Sequence, residues 1–346
     1  MIPYGHEFAK INIPVLTITG YYAASEASAL YYFDEHHRNN PHADHTLLIG
    51  PYDDGATVGG VQSSLRGYPV DAAAQVDLRE LRYEWFDHVL KGAAVPGLLQ
   101  GRVNYEVMGG NEWRHAQSIE AMGSGSLKFY LDATAVNASH RLAQHIATVK
   151  AKTPTAKGKP KGKAPPTFVS QEVSLADCGD ATTWAPQVDI ASHNVEVRNG
   201  TAYVSDPLPK PLELQGQWSG RFDLTINKVD VDLRIAAYEL LPNGDYIQLF
   251  EPYTLRASYA KDRLRRRLLR AGERQILAFK IERLTSRKLQ TGSRIVLILG
   301  VNKRPDEEIN YGTGEDVSNE SLEGAGKVPV RIRWYNDSYV DMPVQR

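Results

Sequence analysis

The residues best placed to do chemistry lie in two short loops, Gly20-Tyr21-Tyr22-Ala23-Ala24-Ser25 and Gly50-Pro51-Tyr52-Asp53-Asp54-Gly55. Each follows a short apolar run, IPVLTITG at 13–20 and TLLIG at 46–50, that reads as a buried strand. Open α/β sheets collect their reactive groups at the carboxyl ends of such strands. Within reach are the carboxylates Glu26, Asp53 and Asp54 and the hydroxyls Ser25 and Ser28. A hydroxyl and a carboxylate are two parts of a nucleophilic relay, and the third is an imidazole that takes the proton. The nearest histidines, His36, His37, His42 and His45, fall in the helix and turn between the two strands and read as surface groups. His36 and His37 are adjacent and His42 is loop-bound, so no HxxxH metal pair forms on one helical face. Glu26 and Asp53 read as solvated carboxylates of a loop or a helix start. No base is visible beside Ser25 or Ser28, and no G-x-S-x-G motif occurs in the 346 residues.

The elements that must position these loops are legible in the first hundred residues. Residues 25–38 have roughly helical apolar spacing, and 77–91 form an amphipathic helix with Leu78, Leu81, Trp85, Val89 and Leu90 on one face, stopped at Lys91-Gly92. The order β-α-β-α predicts parallel strands and a right-handed crossover. After Gly101 the period changes to two. Segments at 103–108, 127–131, 230–240, 275–281, 294–301 and 328–334 alternate β-branched and aromatic residues with turns between them, as at Pro242-Asn243-Gly244. Many short strands of this kind predict an antiparallel sandwich or jelly roll. The expected division is therefore an α/β part over 1–100 and an all-β part over 101–346. An insert at 150–166, with six lysines, four prolines and no acidic residue, reads as a solvated disordered loop. The basic run at 261–270 reads as a loop whose Leu264, Leu268 and Leu269 pack inward.

Composition narrows the class. Lys and Arg number 40 against 41 Asp and Glu, a net charge of -1, which argues against a general nucleic-acid binder. The apolar runs are strand-sized, so no membrane span is expected. A single cysteine, Cys178, excludes an internal disulfide framework and a multi-thiolate metal site. Gly312-Thr313-Gly314 has neither the strand-to-helix context nor the Lys of a phosphate loop and reads as a turn. His88 reads as a helix-edge residue, His115 as structural, and Trp113 and Trp218 as packing groups. No cofactor or metal site is expected. The start, Met1-Ile-Pro-Tyr-Gly-His-Glu, has no basic n-region or apolar h-region, so no signal peptide is legible, and the location stays open with the cytoplasm as default.

Several stretches carry a resemblance: GYY at 20–22, LLIGPYD at 47–53, YEWFDHVLKG at 83–92, VNYEVMGGNEWRHA at 103–116, LRASY at 255–259 and INYGTGEDV at 309–317. With them the chain resembles the C-terminal portion of the X-Pro dipeptidyl-peptidase / cocaine-esterase-like (CocE/NonD) serine hydrolases. The resemblance implies a C-terminal remnant of an α/β-hydrolase sheet, its last two strands, followed by a jelly-roll β-sandwich. It implies an ancestral Ser-His-Asp acyl or peptidyl hydrolysis whose nucleophile lies in an N-terminal half. Carried over residue by residue, the acid of a GYYD-like pattern falls on Ala23 and the histidine of a GPYDH-like pattern on Asp54. Neither residue can do the family's work: a methyl group cannot orient an imidazole, and a carboxylate titrating near 4 is a poor base for a hydroxyl.

Three readings follow. The chain is a catalytically degenerate member of that family, the C-terminal half of a split hydrolase needing a separate N-terminal chain, or a jelly-roll binding module. Two parallel strands do not make a stable sheet, and the strand at 13–20 would leave an open edge. The expected partner is accordingly an N-terminal hydrolase half, or a second copy through that edge.

Overall fold

The computed structural model describes residues 3–146, 166–176, 178, 189–197, 199–304 and 306–346. All but the last residue of the 150–166 insert lies outside the described residues. The chain begins with β1 (Val15–Gly20), α1 (Glu26–Asn39) and β2 (His45–Gly50). A small hairpin follows, β3 (Ser64–Leu65) and β4 (Tyr68–Pro69), then α2 (Leu78–Lys91), β5 (Val103–Val107) and β6 (Glu112–Ala116). The predicted helices are observed with their expected ends. Asp77 caps α2 by accepting from the Arg79 and Glu80 N–H groups, and Gly92 ends it in the left-handed region at φ 71°.

These elements form a four-stranded sheet in the order β1-β2-β5-β6. β1 and β2 pair in parallel, as the alternation of strand and helix requires, and β5 joins β2 in parallel before β6 turns back. The change of sheet therefore comes after Ala116, whereas the change of sequence period comes at Gly101. β5 alternates like a sandwich strand but all five of its residues are buried, because it is an inner strand with a helix-bearing layer on one side and the larger sheet on the other. The pair of strands left short of partners in the sequence reading thus gains two more, but only on the β2 side. Among the described residues no strand pairs with the outer edge of β1.

The rest of the chain is β7 (Gly125–Val136), β8 (Ser139–Ala143), β9 (Phe168–Val173), β10 (Ala191–Ser192), β11 (Thr201–Ser205), β12 (Leu212–Ile226), β13 (Asp232–Leu240), β14 (Tyr246–Gln248), β15 (Tyr253–Arg256), β16 (Arg274–Leu289), β17 (Arg294–Val301), β18 (Val330–Tyr335) and β19 (Tyr339–Gln345). They make a thirteen-stranded sheet, antiparallel except where β11 meets β8. One core takes Leu249 and Phe250 from one end of the strand order and Val169 and Val173 from the other, so the sheet folds over on itself. At its centre Trp218 meets Phe250 edge-on at 5.3 Å, and Phe222 stacks on Phe279 and abuts Trp334. Of the leucines in the basic 261–270 loop only Leu269 packs on this core. Leu264 and Leu268 are exposed, because the loop lies over the surface on its arginine contacts to Asp230 and Glu282. No helix among the described residues is long and apolar enough to cross a membrane.

A second core joins the two sheets. Tyr21, Tyr22, Leu30, Phe33 and Ile49 of the smaller sheet share it with Ile247 and Leu284 of the larger. A third lies under α2, where Leu78, Leu81 and Trp85 pack on Leu48 and Ile18. Leu90, expected on that face, is exposed with Tyr83 and Phe86, and the three form an outward stripe at i, i+3, i+7. Trp218→Ala should lower folding stability by about 3–5 kcal/mol, read as an earlier urea midpoint. A loss under about 1 kcal/mol would mean that the ring does not hold the folded-over sheet together.

Candidate functional site

The two loops meet at the carboxyl ends of β1 and β2. Tyr21 N–H donates to Gly50 O at 2.9 Å and Tyr22 N–H to Tyr52 O at 3.1 Å. The approach is so close that a Cβ on Gly20 would lie 2.0 Å from Tyr52 O, so only glycine fits there. Ala23 is buried, and its carbonyl accepts from Arg283 Nη1 at 2.6 Å. Asp54 reaches across: Oδ2 accepts from Ala24 N–H at 2.7 Å, and Oδ1 accepts from the Ser25 hydroxyl and, at 3.4 Å, from Ser25 N–H. Ser25 precedes α1 but does not cap it with its own side chain. The Asp54 carboxylate instead takes the N–H groups of Ala24 and Ser25 just ahead of the helix, where the helix dipole favours negative charge. Desolvation works to raise its pKa, but the bonds from Ser25 and Ala24 outweigh it and hold Asp54 below the usual carboxylate range.

Ser25 therefore does have a carboxylate beside it, a contact that spacing along the chain does not reveal. A carboxylate held in its charged form is a weak base, so the pair does not activate the hydroxyl. Asp53 accepts from Ala56 N–H at 2.7 Å in a local turn. Ser28 is exposed. A groove of about 680 Å³ runs between α1 and β16, lined by Tyr31, Asp34 and Lys280 among others, and no residue of either loop lines it.

Glu26 corrects the expectation of a solvated carboxylate. It has no exposure, because the first turn of α1 is pressed against β16. Oε1 accepts from Leu284 N–H at 2.7 Å and Oε2 from Arg283 Nη1 at 3.1 Å. Burial pushes its carboxyl up to about 8 although both partners favour the charged form. The tyrosines of the first loop are anchors of the same junction: Tyr21 OH donates to Glu106 O at 2.7 Å and Tyr22 OH to Gln248 O at 2.6 Å. Glu106, which the sequence reading passed over, is fully buried on β5. Burial, with the Asp71 carboxylate next to it, pushes Glu106 up to about 9. An acidic residue inside a run of buried strand positions was the available signal.

The histidines also depart from expectation. His42 is exposed, but His36 and His45 are buried, because α1 lies directly on the start of β2. His36 Nε2 sits 3.0 Å from Ile11 O, which can only accept, so that nitrogen carries the proton. His36 Nδ1 then accepts from His45 Nδ1 at 3.0 Å, and His45 Nε2 accepts from the Thr17 hydroxyl at 2.8 Å. His37 Nε2 donates to His45 O at 3.0 Å. All three rings face one another at the amino end of β2, away from the loops. The inward nitrogens of His36 and His45 bond to each other, and among the described residues no group of His, Cys, Asp or Glu is placed to hold a metal ion. His88 bonds to Ala93 O and His115 to Asn104 Oδ1, each a local structural contact. Trp113 donates to Ala73 O, and Trp218 is wholly buried.

Burial, together with the neighbouring His36 and His37, pushes His45 down to about 3. The unfolded chain titrates it near 6.5. Below that pH the unfolded state binds the proton and the folded state refuses it, so stability falls as pH drops from about 6.5 toward 3, by at most about 1.4 kcal/mol per unit. The melting temperature followed from pH 7.5 to 4 should fall, and His45→Gln should flatten the slope. An equal slope in both proteins would remove the histidine cluster as its cause.

No family model matches the chain, and no curated protein matches it by sequence. Solved structures do. An aminopeptidase from a marine sediment Thaumarchaeota archaeon superposes with a TM-score of 0.72 at 15% identity, over 97% of this chain and 55% of that one. An α-amino acid ester hydrolase gives 0.71 at 16% identity, over 98% and 57%. A CocE/NonD family hydrolase from Staphylococcus aureus gives 0.56 at 13% identity, over 98% and 55%. At these identities the likeness is one of fold, and the chain spans little more than half the length of each. Its β1-to-β19 architecture is that of a portion of the CocE/NonD-type hydrolase fold, a share consistent with the C-terminal portion to which the GYY, LLIGPYD and VNYEVMGGNEWRHA stretches pointed.

Proposed function

We propose that this chain carries the C-terminal portion of a CocE/NonD-type serine-hydrolase scaffold, with a jelly-roll domain in its larger sheet, and that its two catalytic positions have become structural. The observation that carries the reading is the contact of Asp54 with Ala24 and Ser25. The two loops still meet as a triad requires. What they bring together is a buried methyl group and a carboxylate engaged by the backbone and the Ser25 hydroxyl just ahead of α1. In the ancestral reaction a serine attacks an ester or peptide carbonyl, a histidine carries its proton, and an aspartate holds the histidine in register, with backbone donors on the oxyanion. Ala23 stands at the place of the aspartate and Asp54 at that of the histidine, so the chain as given is a pseudoenzyme at this site. It should turn over neither X-Pro anilides nor short acyl esters and should take up no fluorophosphonate. Turnover that rises and falls with the label on a serine would sink the proposal.

One feature favours a second reading, in which the chain completes a hydrolase whose nucleophile is carried by another segment. The free edge of β1, VLTITG, has no charge and no proline to guard it against pairing. Beside its start Ile13 is exposed, and on α2 so is the stripe of Tyr83, Phe86 and Leu90. A parallel strand followed by a helix would satisfy both features. Co-expression with a G-x-S-x-G-bearing N-terminal half of a CocE/NonD hydrolase tests it. A stable complex supports the split arrangement, and separate elution returns the case to the first reading.

A further inference from the structure

The turn 310–314, which resembles no phosphate loop in sequence, is built as an anion cradle. Four successive backbone N–H groups converge on the Glu320 carboxylate. Tyr311 N–H reaches Oε2 at 2.6 Å and Gly312 N–H reaches it at 3.1 Å. Thr313 N–H reaches Oε1 at 2.8 Å, Gly314 N–H at 3.1 Å, and the Thr313 hydroxyl at 2.5 Å. Gly312 and Gly314 hold positive φ, 73° and 94°, the alternation that aims successive N–H groups at one point. The first cannot carry a side chain, since a Cβ would lie 2.6 Å from Asp230 O and 2.8 Å from Lys228 Cβ.

Lys228 is the second, independent feature. Its stem packs under Gly312, and the residue is about nine-tenths buried. Its ammonium makes no hydrogen bond or ion pair among the described residues and keeps contact with solvent, and the Glu320 charge acts on it. Glu320 has only two oxygens and both are taken by the turn, so none is left for the lysine. Asp230, two residues on, pairs with Arg266 at 3.1 Å instead, and Arg266 also donates to Gly314 O. Glu320 itself arrives on a surface arm with Ser318, Asn319 and Ser321 exposed, so its carboxylate can leave without opening the core.

We propose that the 310–314 turn and Lys228 form a binding site for a small tetrahedral oxyanion, inorganic phosphate or sulfate, and that Glu320 is a built-in plug occupying it. Four oxygens satisfy both the N–H cluster and the lysine, which two cannot. The site is distinct from the two strand-end loops and stands whether or not the hydrolase reading does. Glu320→Ala opens it. Calorimetric titration with phosphate at constant ionic strength should show saturable binding about tenfold or more tighter in this variant than in the unaltered chain, because the tethered carboxylate no longer competes at its high effective concentration. Adding Lys228→Met should weaken that binding by about fivefold or more. A folded Glu320→Ala protein that takes up no phosphate overturns the proposal, and equal affinity in the unaltered chain overturns the plug. If the variant does not fold alone, refolding in phosphate or sulfate but not in chloride of equal ionic strength supports the site, and failure in all three overturns it.

Discussion

The smaller sheet depends on one buried contact. Glu26, at the start of α1, takes a hydrogen bond from the Leu284 backbone and another from Arg283, which also bonds the carbonyl of Ala23. A buried polar contact of this kind is costly to break, because removing either partner leaves the other without a hydrogen bond in a medium that solvates it badly. Together with Tyr22 on Gln248 O and Tyr21 on Glu106 O, it fixes the register of four short strands against a sheet of thirteen. Their sheet ends at β1 on one side and at β6 on the other. Here they borrow a core from the larger sheet through Ile247 and Leu284.

The same contact explains the state of the strand-end loops. Their positions are held by backbone hydrogen bonds and by the absence of a side chain at Gly20. Asp54 adds bonds to the Ala24 and Ser25 N–H groups just ahead of α1, and the buried Ala23 adds its carbonyl bond to Arg283. The buried pair His36 and His45 is likewise structural, since its nitrogens are spent on one another and on Ile11 O and Thr17.

Much of the fold was legible in the chain. The alternation at 103–108 and 294–301, the glycine and aspartate flanking α2, and the β-α-β order each reflect a local rule of period or capping. What failed had a common cause. Residue type alone places Leu264 inward and Glu26, His36 and His45 outward. Each is reversed by a contact that local spacing does not reveal: β16 over Glu26, α1 on the start of β2 at His36 and His45, and the arginine contacts that hold the 261–270 loop on the surface.

The sequence by itself determined the residue types of the strand-end loops, Ala23 and Asp54 among them, which are independent of any packing. It also determined that a glycine-rich turn at 312–314 has no lysine in its own segment. Only the tertiary structure decided that Asp54 bonds to Ala24 and Ser25, that β5 and β6 belong to the smaller sheet, and that Lys228 and Glu320 come to that turn from outside it. The physical reason is that residue type and local period are properties of neighbours along the backbone. Burial, charge pairing and the convergence of donors are set by which distant segments fill the space beside them.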